Sequence, residues 1–149
     1  MSLKNWRDNG WLKDHKTSPQ EIEDLLAVAE RDLKDSSAAS LSPDWQLAIA
    51  YNAALQAATA ALYASGFRAA REAHHYRVIQ SLAYTIQAKP NLINQLDKFR
   101  KKRNIGGYEA AGRVSQQEAD EMKRLAKDIY EQIVSWLHQN HASLMAKKQ

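Results

Sequence analysis

The residues with the most chemical potential lie in one short stretch, Phe99-Arg100-Lys101-Lys102-Arg103-Asn104-Ile105-Gly106-Gly107-Tyr108. Counted from Lys98, it packs five basic residues into six positions and then runs into a glycine pair. Arg100, Lys101, Lys102 and Arg103 are the candidates for binding a phosphate, since a guanidinium offers a planar fork of donors. Arg103, Asn104 and Tyr108 are the candidates for chemistry. Asparagine accepts and donates at once and can orient a neighbouring group, and a tyrosine can stack on a base or donate its hydroxyl. Two adjacent glycines each cost about 1 kcal/mol relative to alanine inside a helix, so the helix is expected to end near Asn104. The plain alternative is a basic helix end answering the negative pole of the dipole, worth tenths of a kcal/mol per charge. On that reading Asn104 and Gly106 shape the helix exit and Tyr108 plugs its ring under the loop.

Other chemistries find little support. The histidines are His15, His74, His75, His138 and His141. A helical metal pair needs i, i+3 or i, i+4 spacing; His74 and His75 are adjacent, and His138 and His141 have no carboxylate between them. No metal site is expected, and no cofactor. The glycine pair lacks the spacing and flanking strand of a phosphate-binding loop, no serine sits in a nucleophile elbow, and no carboxylate pair stands out. Cysteine is absent, which removes disulfides, thiol nucleophiles and cysteine-based metal sites. By motif alone the sequence declares no enzyme.

These residues need a scaffold, and the composition says which. A chain of 149 residues suits one domain. Five glycines and three prolines leave little room for the turns of an all-β fold. A net charge of +4 permits a nucleic-acid or nucleotide partner without demanding one. The first residues carry charges throughout with no apolar centre, and no apolar run approaches the roughly 20 residues of a membrane helix. A cytoplasmic protein is expected.

Periodicity predicts an all-α, up-and-down bundle of four to five helices over residues 19–140. Residues 1–18, with Trp6 and Trp11, read as an irregular arm docking its indoles on the domain; residues 141–149 read as a frayed basic tail. Ser18-Pro19 and Ser42-Pro43 are helix starts, opening helices over 19–35 and from 43 to about 65. Seven of the thirteen residues 48–60 are alanine, which lets neighbouring helices approach closely and marks this helix as central. A third helix is expected from His74 to just before Lys89-Pro90, and a fourth from about Asn91. Ser115 with Glu118 is a capping box that starts the last helix, over 116–140. No strand-like alternation appears.

The order of these features is similar to that of the HEPN family, helical bundles associated with nucleotide binding in higher eukaryotes and prokaryotes. The features are the Tyr51-Asn52-Ala53-Ala54 helix, the Ser65-Gly66 turn, His74-His75 at the next helix start, Arg103-Asn104 closing a basic helix, and the Ser-capped last helix. The likeness spans about Glu21 to Leu137. It implies a homodimer, and in active members a composite ribonuclease site of paired Arg and His residues that needs no metal. It also implies toxin–antitoxin settings in which a nucleotidyltransferase-type protein is the partner. Arg103 matches the family Arg and Asn104 the polar residue after it, but Tyr108 fills the His slot. A phenol with a pKa near 10 is a poor base at neutral pH, and losing acid–base help costs on the order of 10² to 10⁴ in rate. His74 or His75 could approach from a neighbouring helix or subunit. The leading expectation is thus a dimeric module binding RNA, a nucleotide or a nucleotidyltransferase-type partner. The alternatives are a metal-independent endoribonuclease and a purely structural interaction protein.

Overall fold

The computed structural model describes residues 1–106 and 112–145, with side chains for all of these except 104–106. Among them are six α-helices: α1 (Leu3–Asp8), α2 (Pro19–Asp35), α3 (Pro43–Ala64), α4 (His74–Ser81), α5 (Pro90–Gly106) and α6 (Gln116–Asn140). Two short strands, β1 (Leu12–Asp14) and β2 (Phe67–Ala69), and a 3-10 turn at Ala142–Leu144 complete the description. The fold is mostly helical.

Elements coincide with their sequence signals where a cap and an apolar stripe agree. Ser18 and Ser42 accept hydrogen bonds from the backbone N–H groups of Glu21 and Trp45, with Pro19 and Pro43 at the first helical positions. Ser115 and Glu118 cap α6 reciprocally. α3 is the axis of the molecule and packs most extensively on α6 and α2. Its Ala50, Ala53, Ala54, Ala57, Ala58, Ala60 and Ala61 are all buried, so helices close on it from more than one side. Asn52 donates to Asp32 at 2.7 Å and ties α3 to α2.

Several expectations need correction. α3, at 22 residues, is long and apolar enough to cross a membrane by length and composition, alone among the described residues, although 61% of its most apolar window is buried inside the fold. The sequence reading passed over it because tyrosine, asparagine and glutamine interrupt the apolar run. The expected irregular arm instead holds a helix and a strand. β1 pairs antiparallel with β2 in the register Leu12↔Ala69, Lys13↔Arg68, Asp14↔Phe67. Three residues per strand are too few to display a period of two, and the pairing depends on Gly66 (φ +95°) turning the chain at the end of α3. The helix expected to run toward Lys89 ends at Ser81. Beyond it Leu82, Ala83 and Tyr84 make tighter i→i+3 bonds, and Ala88 bonds back to Leu82 past Gln87 in the left-handed region. The apolar period survives because Leu82 and Ile86 still face the core, but the hydrogen-bond ladder does not. α5 ends at Gly106, near the expected Asn104, whereas Ala142–Leu144, expected to fray, form an ordered turn. The remainder of the tail, residues 146–149, lies outside the described residues.

Candidate functional site

α4 begins unlike the four serine-capped helices. The N-caps of α1, α2, α3 and α6 are serines whose side chains accept a backbone N–H, whereas α4 starts at Ala73, in the left-handed region (φ 52°), with no side-chain cap. Arg77 N–H makes the first helical bond, to the Ala73 carbonyl at 2.9 Å. The amides of the opening turn therefore present the positive pole of the helix to whatever lies in front of it. There, Ala73, His74, His75 and Tyr76 line a cleft of about 480 Å³ with Arg100 of α5. A left-handed non-glycine residue costs on the order of 1–3 kcal/mol and gathers at functional positions.

Four elements position this cleft. The Arg100 guanidinium lies 5.6 Å from the Tyr76 ring centroid, and Arg103, one turn on, lies 5.4 Å from the Tyr51 ring of α3. Asp97 holds Arg100 at 2.7 Å. The N-terminal segment braces α4 from behind: Arg77 sits 3.9 Å over the Trp11 ring, and Trp6 meets Trp11 and Tyr84 edge-on. The indoles thus dock as expected and fix the helix that carries the histidines.

Burial and charge tune the groups behind the cleft. Tyr51 is 1% exposed, its ring centroid is 6.2 Å from that of His75, and its hydroxyl has no hydrogen-bond partner among the described residues. Burial pushes the phenol up to about 12 against the opposing pull of Arg103 and Arg100. It stays protonated, a donor and not a base. Burial also pushes His75 below the ordinary imidazole value, helped by His74, Arg103 and Arg100. His75 is therefore a neutral imidazole at neutral pH, flanked by fixed positive charge.

Of the phosphate-binding candidates read from the sequence, Arg100 lines the cleft and Arg103 stands beside it. Lys101 lies 3.6 Å from Asp97, and Lys102 lies 3.4 Å from Glu118, where it joins α5 to the start of α6. Tyr108 and the side chain of Asn104 lie outside the described residues. The sequence reading missed Tyr76 and the role of Tyr51. The signal that could have found the cleft is an alanine standing where four other helix starts put serine, just before His74-His75-Tyr76. Among the described residues no group of three His, Asp or Glu residues is arranged to hold a metal ion. The cleft offers cationic and amide donors to an anion, an aromatic face, and one neutral imidazole. No family model, curated protein or solved structure matches the chain.

Proposed function

We propose that this protein is a phosphate-binding helical module of HEPN-like type, and that its ligand is RNA or a nucleotide. The observation that carries the reading is the uncapped start of α4 facing Arg100 across a cleft lined by His74, His75 and Tyr76. Helix N-termini are anion sites because unpaired N–H groups and the dipole act together; an adjacent guanidinium adds a bidentate donor. In this reading Arg100 and the α4 amides hold the phosphate, Arg103 reinforces the field, and Tyr76 stacks on a base. Asn104 and Tyr108 follow next along the chain. The family resemblance makes the working unit a homodimer and admits a nucleotidyltransferase-type protein as a second partner.

The reading is tested by fluorescence anisotropy with labelled single-stranded RNA. Arg100→Ala combined with Arg103→Ala should weaken binding at least tenfold and flatten the salt dependence, by roughly 0.7 in log–log slope for each phosphate the variant no longer neutralises. Unchanged affinity and slope would remove the cleft from consideration.

One observation favours a second reading. A neutral His75 near two arginines supplies the Arg–His combination that Tyr108 denies to the sequence motif. As an endoribonuclease, His75 would take the 2′-hydroxyl proton as that oxygen attacks phosphorus. The 5′-oxygen would leave with a proton from solvent, and a 2′,3′-cyclic phosphate would remain. This reading requires RNA cleavage in chelator that disappears in His75→Gln and Arg103→Ala; a chelator-treated protein that leaves RNA intact would eliminate it.

A further inference from the structure

The paired strands β1 and β2 carry a feature that stability alone does not favour. Lys13 and Arg68 stand directly opposite each other in the strand register, both exposed. Like charges directly across an antiparallel pair are destabilising. Neither makes an ion pair among the described residues, and neither does Arg71, two residues beyond β2. These three cations line a second cleft, of about 320 Å³, together with Tyr63 and His74. The acidic neighbours are engaged or set apart: Asp14 pairs with Arg7, Glu21 with His15, and Glu72 is not part of the lining.

His74 lines both this cleft and the one at the start of α4. Each cleft also combines positive charge with one tyrosine: Lys13, Arg68 and Arg71 with Tyr63 in the first, and Arg100 with Tyr76 in the second. A positive groove with aromatic faces set along it is the arrangement that tracks a single strand, with phosphates on the cations and bases on the rings. An isolated phosphate or a mononucleotide would need only one of the two.

We infer that the cleft at the β1–β2 pair is a second phosphate subsite, continuous through His74 with the α4 cleft, and that the ligand is a single-stranded polynucleotide spanning both. The inference rests on the α4 cleft being the primary site. Lys13, Arg68 and Arg71 take the flanking phosphates, which offsets the repulsion between the facing cations. Tyr63, already tilted against the His15 ring at 4.1 Å, offers its outer face to a base.

The test is a length series read by fluorescence anisotropy, with labelled oligouridylates of two and eight nucleotides and an oligodeoxyuridylate of eight. The eight-nucleotide probes should bind at least tenfold more tightly than the dinucleotide. Arg68→Ala with Arg71→Ala should abolish that gain while leaving dinucleotide affinity unchanged. Both arginines lie at the surface, so the variant should keep its circular dichroism spectrum. Removing the same charge from α6, by Arg124→Ala with Lys127→Ala, should preserve the gain. Comparing uridylate with deoxyuridylate shows whether the strand is RNA or DNA. A long probe no tighter than the dinucleotide, or a gain that survives the Arg68 and Arg71 substitutions, overturns the second subsite and leaves the α4 cleft standing. If no probe binds, both readings fall together.

Discussion

His75 governs how the candidate site responds to pH. Burial, His74, Arg103 and Arg100 all hold its imidazole below the ordinary value, so the folded protein binds fewer protons than the unfolded chain near pH 6. Its contribution to stability is therefore complete above about pH 6.5 and is lost as pH falls toward the depressed folded value. Urea denaturation should show wild-type stability falling more steeply between pH 7.5 and 5.5 than that of His75→Gln; parallel curves would mean the imidazole is not held neutral. An anion in the cleft opposes the depression, so RNA affinity should rise over the same acid window and the rise should be smaller in His75→Gln. Tyr51 makes a different prediction. Its buried hydroxyl lacks a partner among the described residues, and an unsatisfied buried donor costs about 1–3 kcal/mol. Tyr51→Phe should leave stability unchanged or raise it, whereas a loss above about 1 kcal/mol would show that the hydroxyl is hydrogen-bonded.

At the scale of elements, the start of α4 trades local stability for an open positive pole. Ala73→Gly relieves the left-handed strain, worth roughly 1–2 kcal/mol, and should raise the melting temperature by several degrees while leaving nucleic-acid affinity intact. A fall in melting temperature would place the strain elsewhere. Ser115→Ala, which breaks the capping box of α6, should cost about 1 kcal/mol in a denaturant titration; no measurable cost would show that the box contributes nothing. Helices declared by a Ser–Pro or Ser–x–x–Glu start and a long apolar stripe, α2, α3 and α6, were legible to within a residue or two. The strands were not, because three-residue pairing is set by tertiary docking around Gly66 rather than by alternation. The site was half legible. Charge clustering pointed to Arg100 and Arg103, but only the fold brings α4 beside them and engages Lys101 and Lys102 with Asp97 and Glu118.

At the scale of the whole molecule, the described residues form one mostly helical body whose α3 axis carries Tyr51 and whose N-terminal segment braces α4 through Arg77. A homodimer, if it is the working unit, should sediment at twice the 16.9 kDa chain mass; a monomer at tens of micromolar would leave each chain to act alone. The function proposed for this molecule turns on whether the α4 cleft holds a phosphate. The most direct measurement is a nuclear magnetic resonance titration of labelled protein with a single-stranded oligonucleotide, following backbone amides. The largest shifts should fall at His74, His75 and Tyr76, with Arg100 responding alongside. Binding that leaves those amides unmoved while shifting others would contradict the phosphate site at α4.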